Sequence, residues 1–490
     1  MKNLLLGIDI GTSACKIVIF DKEGHILASS TKGYKVYYPK AGWAEQNPNE
    51  WYSAICEGIK ETLLIGDINS DDIAGIGIGG QSWSAIAVDR NGKLLCNTPI
   101  WMDTRASEIC KKVNEKIGAE RIFDISGNSF EPMYTTPKIL WYKENLPNVF
   151  KNTYKILQSN SYIAFRLTGI FSGEKSQGYG LHCFNMKKGI YNEKLCEDFE
   201  IPFEFLPKIY ECSEVVGQVT KKAAGETGLS VGTPVVAGGL DAACGTLGAG
   251  VINDGQTQEQ GGQAGGMSIC LDEYKAHSKL ILGFHVIPNK WLLQGGTVGG
   301  GGVIKWFNEQ FCENKTLKEL DEKAGKVNIG SDGLIFLPYM AGERSPIWNK
   351  NAKGVFFGLD YSKTKGHLFR ACLEGVAFSL HHNLETAKEA GVNINVLNAI
   401  GGAANSRLWT QIKSDITGKV IMVPSTDTAT TMGAAILAGV GTGVYKSFRE
   451  AVKLTVNFKR EHTPNMDNHK EYMKIFSIYL KLYENLKELM

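Results

Sequence analysis

Short apolar runs alternate with turn-forming clusters over the first eighty residues. Leu4 to Ile10 (LLLGIDI), Cys15 to Phe20 (CKIVIF) and Ile26 to Thr31 are β-rich, and Gly11-Thr12-Ser13 and Asp21-Lys22-Glu23-Gly24 between them carry turn chemistry. The pattern predicts a three-strand meander. Asn47-Pro48-Asn49-Glu50 then supplies a cap, a proline at the first helical position and an acid three residues past the cap, opening a helix with Trp51, Ile55 and Ile59. Ile73 to Ile78 returns to strand character. In the second half, Val235 to Gly239 reads as a buried strand ending in a glycine pair, and helical periodicity runs through Leu368 to Ala390 and Leu408 to Thr417. Two sheet-and-helix lobes, joined near residues 245 to 255, fit this alternation.

Length and charge narrow the classes. At 490 residues the chain is too long for one ordinary core. With 53 basic against 51 acidic residues, net charge +2, and no dense Lys/Arg block, neither nucleic acid nor a membrane surface is an expected partner. Small molecules are. The 11 cysteines are scattered, without a CxxC pair or zinc spacing, and read as small buried residues in a reducing compartment. No stretch approaches the ~20 apolar residues that span a bilayer, and Asp9 breaks the short apolar run near the start. A cytoplasmic protein is expected.

Candidate chemistry lies in the glycine loops. Gly75-Ile76-Gly77-Ile78-Gly79-Gly80 matches GxGxxG, but it sits inside a strand and leads to another β-like run, Ala85 to Val88. A dinucleotide site needs those glycines at a strand-to-helix turn. No GxxxxGK[ST] motif occurs. The first loop is different: Asp9 near a strand end, followed by Gly11-Thr12-Ser13, offers backbone N–H groups and hydroxyls to phosphate oxygens while the carboxylate faces a hydrated magnesium ion. By itself it reads equally as a hairpin with a surface acid. A second acid, Asp241, follows Gly238-Gly239 and precedes small residues in VVAGGLDAACGTLGAG, as if a helix must pack closely there.

These segments resemble the FGGY carbohydrate kinases, within the actin-like ATPase superfamily, and among them the xylulokinases. LLLGIDIGTSACKIVIFD, GWAEQNP, GQSWSA, WMDTRA, SGNSFEPMYTTPKILW, VVAGGLDAACGTLGAG, FLPYMAGERSPIWNKNAKGVFFGLD, LFRACLEGVAFSL and IGGAANSRLWTQIKSDITGKVI carry the likeness in collinear order, to about residue 440. The resemblance implies an α/β fold of two actin-like (ribonuclease H-like) domains around a cleft, divided here as 1–246 and 247–490, with sugar on the first and ATP on the second. It assigns Asp241 as the base that takes a proton from the attacking hydroxyl, Asp9 as the carboxylate that organises Mg²⁺ through water, and Thr12 and Ser13, with Gly11, as the first phosphate loop.

Sugar contacts are expected from Gln81, Ser82 and Trp83 and from Trp101, Asp103 and Arg105, because carboxylate, guanidinium and amide groups match the paired donors and acceptors of vicinal hydroxyls. Trp83 and Trp101 read alternatively as core aromatics, and Arg105 as the partner of a structural acid. The second phosphate loop falls in Gly261 to Gly266, with Gly262 and Gln263 standing where the family has a Gly-Thr pair. Adenosine is expected against Gly402, Ala403, Asn405 and Ser406, with Gly301 beneath it; without the resemblance that segment is a turn before a helix. Two departures bear on the substrate. Xylulokinases usually have Met-His where this chain has Ser82-Trp83, and Asn where it has Ala242. The resemblance as a whole still puts an ATP- and Mg²⁺-dependent kinase of D-xylulose first, while the two departures keep other acceptors open. Ribulose, erythritol or glycerol as acceptor, and a non-catalytic sugar or nucleotide sensor on the same scaffold, are the alternatives. A homodimer is the family-level expectation.

Overall fold

The computed structural model describes residues 3–312 and 315–490. The meander forms as the pattern predicts, with antiparallel strands at Leu4–Ile10, Ala14–Phe20 and Ile26–Gly33. The helix Pro48–Ile65 begins where the cap signal stands, the Asn47 side chain accepting the Asn49 N–H, and buries Trp51, Ile55 and Ile59. Strand Ile73–Gly80 joins the sheet parallel to Leu4–Ile10, so the GxGxxG match lies wholly within a buried strand.

One expectation is corrected. Val235 to Gly239 is not a continuous strand: Pro234–Val236 is followed by a break and by a short strand at Gly239–Leu240. Gly238 adopts φ +75°, and a Cβ there would lie 2.2 Å from the Ile78 carbonyl oxygen, so the chain kinks at the one residue type that fits.

Two seven-stranded sheets share one plan. The first runs Val215–Gln218, Pro234–Val236, Ile73–Gly80, Leu4–Ile10, Ala14–Phe20, Ile26–Gly33, with Gly239–Leu240 also paired to Ile73–Gly80. The second runs Ile281–Phe284, Trp291–Thr297, Gly265–Leu271, Gln256–Gly261, Val396–Ile400, Val420–Pro424, Phe458–His462. In each, a run of antiparallel strands is extended by two parallel strands and closed by an antiparallel one. The turn at Gly11 to Ser13 therefore has its structural counterpart at Gly262 to Ala264.

The lobes are stitched together by helices. Helix Ala429–Gly441, from the second half of the chain, lies on the first sheet so closely that a Cβ on Gly7 or Gly77 would fall 2.1 Å from the Thr431 oxygen or 1.8 Å from the Ala434 oxygen. It also crosses helix Asp241–Gly248 backbone to backbone, at Gly248 against Ala429 and Gly433 against Cys244. One core cluster packs Ile8, Ile17, Trp51 and Ile76; another packs Phe307, Phe336, Phe369 and Tyr472. A third joins both halves through Leu5, Val18, Leu247, Leu293 and Ile436. All eleven cysteines are free thiols, and all but the half-buried Cys96 are buried. Among the described residues no helix is long and apolar enough to cross a membrane.

Candidate active site

Strand register gathers the acids. Asp9 pairs with Gly79 and Ile10 with Gly80 on one side of the central strand, while Gly239 and Leu240 pair with the same two glycines on the other. Asp9, Gln81 and Asp241 thus emerge together at the carboxyl end of parallel strands, where open α/β sheets bind ligands. Asp241 opens the helix Asp241–Gly248 and its Oδ1 accepts the Ala242 N–H at 2.7 Å.

Both acids are held toward their neutral forms. Burial, then the Asp241 charge, pushes the Asp9 carboxyl up to about 7 against the pull of Lys16. Burial likewise lifts Asp241 to about 6, opposed by the Ala242 N–H. Asp9 Oδ1 is buried without a hydrogen-bond partner among the described residues.

The first hairpin is braced by Trp101, Tyr34 and Gln46. Trp101 Nε1 donates to Thr12 Oγ1 at 3.0 Å, Tyr34 donates to the Gly11 oxygen at 2.6 Å, and Gln46 donates to the Thr12 oxygen at 2.8 Å. Gln81 donates in turn to Gln46 Oε1 at 2.8 Å, leaving its own Oε1 buried and unpartnered. Ser13 is exposed at the turn. Trp83, at φ +59°, packs 4.5 Å from Tyr134 and 5.6 Å from Tyr179, with Nε1 unpartnered; Ser82 beside it is half-buried. The Tyr179 hydroxyl lies close to Ser82 and Trp83 and within reach of the Asp241 charge.

Asp103 and Arg105 pair with each other, as the structural alternative for Arg105 anticipated. Arg105 forks onto Asp103, with Nη2 at 2.7 Å from Oδ2, pairs with Glu45 at 2.8 Å and lies 3.9 Å from the Trp43 ring centre. The second Asp103 role is to accept the Ala44 N–H at 2.7 Å. The carboxylate and guanidinium are thus spent on fixing the loop that carries Trp101. The buried Lys138, which sequence reasoning passed over, fastens the same region: its Nζ donates to the Trp83 oxygen at 2.8 Å and the Ile100 oxygen at 2.9 Å.

On the opposite lobe, Gly262 and Gln263 meet the glycine run that begins the helix Gly301–Phe311. Gly301 N–H donates to the Gly262 oxygen at 2.7 Å and Gly302 N–H to the Gln263 oxygen at 2.9 Å. A Cβ on Gly301 would stand 2.7 Å from that Gly262 oxygen, which explains the glycine. Gly262, Gln263, Gly301, Gly402, Ala403 and Ser406 line one cavity of about 470 Å³. Asn405 is exposed at the adjoining turn and does not line it. Gly262 also lines a second cavity, of about 180 Å³, with Asp9, Lys16 and Gly401, so the loop at Gly262 borders both.

The comparisons match this layout. The N-terminal domain of the FGGY family of carbohydrate kinases matches residues 4–248, and its C-terminal domain residues 275–442. The chain belongs to the FGGY family of carbohydrate kinases. It is 31% identical over 487 residues to the xylulose kinase of Bacillus subtilis, covering 99% of this chain and 97% of that one. Its structure superposes on ligand-bound xylulose kinase from Lactobacillus acidophilus with a TM-score of 0.93 at 28% identity, covering 99% and 98% of the two chains. It superposes on gluconate kinase from Lactobacillus acidophilus with a TM-score of 0.92 at 28% identity, covering 99% and 98%. The fold of this FGGY kinase is therefore the two-domain, actin-like one expected from its motifs.

Gln46, Lys138 and Tyr179 are buried beside these loops of the FGGY kinase and were not singled out by sequence. Gln46 sits within the quoted GWAEQNP stretch and Lys138 within SGNSFEPMYTTPKILW, but only the fold shows that each is tied to a cleft loop. Beneath them Glu174 accepts from Ser176 and Gln177, and Ser176 accepts the Leu240 N–H at 2.8 Å, a buried chain that ends next to Asp241.

Proposed function

We propose that this FGGY kinase transfers the γ-phosphoryl group of ATP, with Mg²⁺, to a terminal hydroxyl of a ketopentose, D-xylulose being the first candidate. The observation that carries the reading is the placement of Asp9 and Asp241 together at the carboxyl end of parallel strands, with Asp9 sharing one cavity with Gly262 and Gly262 bordering the large cavity of the other lobe. Relatives named xylulose kinase, matched along the full length, support the sugar.

Asp241 holds the acceptor hydroxyl and takes its proton as the oxygen bonds to phosphorus; a carboxyl raised to about 6 is well matched to that task near neutral pH. The hairpins at Gly11 to Ser13 and Gly262 to Gln263 offer N–H groups to the phosphates from opposite walls. Asp9 fits a hydrated cation: its Oδ1 has no partner, and among the described residues no group of three or more His, Cys, Asp or Glu gathers, so a magnesium ion would take its other ligands from water and phosphate. When bound, Mg²⁺ supplies neutralisation of the charge on the transferring phosphoryl group. Gln81, Ser82, Trp83 and Trp101 frame the sugar, while Asp103 and Arg105 position Trp101. Residues 1–246 form the sugar side and 247–490 the nucleotide side of a cytoplasmic enzyme that works as a homodimer.

A second reading has its own observation. The wall of Trp83, Tyr134 and Tyr179, with Ala242 beside Asp241, stands where xylulokinases usually have Met-His and Asn, which favours another pentulose or a polyol as acceptor. ADP release measured against a panel of ketoses and polyols tests both. Sugar-dependent release identifies the acceptor; hydrolysis that ignores every sugar, or binding without turnover, overturns the kinase reading.

A further inference from the structure

Two residues that line the large cavity carry acceptors that no described group uses. Asp321 and Asn308 both line it, and Asp321 Oδ1 and Asn308 Oδ1 are buried without a hydrogen-bond partner among the described residues. Neither is loosely held. Asp321, on helix Leu317–Ala324, accepts the Ser406 hydroxyl on Oδ2 at 2.7 Å, and Ser406 accepts the Trp409 N–H that caps the next helix at 3.0 Å. Asn308 donates its amide to the Lys315 oxygen at 2.7 Å, which fixes the carbonyl end of that amide. The rest of the chamber is largely apolar, with Ile304, Phe369, Leu373 and Trp409 on its walls. A flat base can lie on such walls, but two buried acceptors need donors.

We propose that Asp321 and Asn308 are the residues that select the nucleoside, by accepting hydrogen bonds from its N–H or O–H groups. This rests on the reading of the cavity as the nucleotide site. Two parts of ATP carry such donors: the exocyclic amino group of adenine and the 2′- and 3′-hydroxyls of ribose. A ligand lacking the matched donor leaves a fixed, buried oxygen unsatisfied, which is why such sites discriminate strongly.

The test is kinetic, on the full-length enzyme at saturating sugar. Wild-type kcat/KM is measured for ATP, ITP, 2′-deoxy-ATP and 3′-deoxy-ATP, then repeated for Asp321→Ala and Asn308→Ala. A charge-assisted bond predicts that Asp321→Ala raises KM for ATP about 10- to 100-fold, with kcat changed far less and the sugar KM unmoved. The variant also loses the wild-type preference for ATP over one analogue: ITP if the base is read, a deoxy analogue if the ribose is. Equal use of all four nucleotides by the wild-type enzyme overturns the proposal even if the variants fail to fold, as does an unchanged KM in a folded Asp321→Ala. Absence of any ATP use by the wild type would sink the kinase reading along with it, whereas normal ATP use with no discrimination sinks this inference alone.

Discussion

At the scale of single residues, the site depends on groups made costly by burial and repaired by specific partners. Asp241 is the clearest. General-base catalysis is worth ~100- to 10,000-fold, so Asp241→Asn is expected to keep the fold, by circular dichroism and melting temperature, while kcat falls at least 100-fold. Near-normal turnover in that variant would remove Asp241 from the mechanism. Lys138 shows the same economy in a structural role. Burial lowers its amine to about 7, yet a neutral amine keeps two N–H donors, enough for the Trp83 and Ile100 carbonyls it serves. The sign of its pH effect follows. Between about 7 and the ordinary lysine value the unfolded chain holds a proton that the folded one does not, so stability rises with pH in that window. Wild type minus Lys138→Met, measured by urea unfolding, should therefore gain up to ~1.4 kcal/mol per pH unit across it. The same variant should raise the sugar KM, because two loop carbonyls lose their donors.

At the scale of elements, glycine decides how near two helices and a sheet can come. Helices Asp241–Gly248 and Ala429–Gly441 touch through backbone, with a Cβ on Gly433 falling 1.9 Å from the Cys244 oxygen. The small residues after Asp241 thus answer to packing, and they let Asp241 sit where two lobes meet. Gly433→Ala is expected to lower stability by about 1–3 kcal/mol, since a close-packed contact must open. Gly225 is the contrast: it lies in the helix Lys221–Thr227 with open space around its Cβ position, so Gly225→Ala should stabilise by about 0.5–1 kcal/mol. A denaturation midpoint that moved the same way in both variants would refute the packing account. The paired hairpins make a related point. Gly11 to Ser13 and Gly262 to Ala264 occupy the same place in two sheets of one plan, although their sequences share little beyond the first glycine.

At the scale of the whole molecule, two lobes meet at the cavities that the loop at Gly262 borders, and ligands that bind only the folded state should stabilise it. Sugar and a non-hydrolysable ATP analogue, each at one hundred times its dissociation constant, should each add about 2.7 kcal/mol, and together should reduce the radius of gyration in small-angle scattering. An unchanged radius with both bound would argue against closure. How much of this was legible in the chain differs by feature. The meander, the capped helix at Pro48, the long helix Lys365–Glu389 and the position of Asp9 before a glycine turn follow from local pattern, because periodicity, caps and turn residues act over a few positions. The motifs also marked Asp241 and the Gly262 and Gly402 loops. The kink at Gly238, the clamp of Asp103 and Arg105 on Glu45 and Trp43, the staple from Lys138 and the unsatisfied oxygens of Asp321 and Asn308 could not be read that way. Each depends on which distant atoms a side chain meets after packing. A carboxylate has the same letter whether it faces a substrate or an arginine, and only the folded chain decides which.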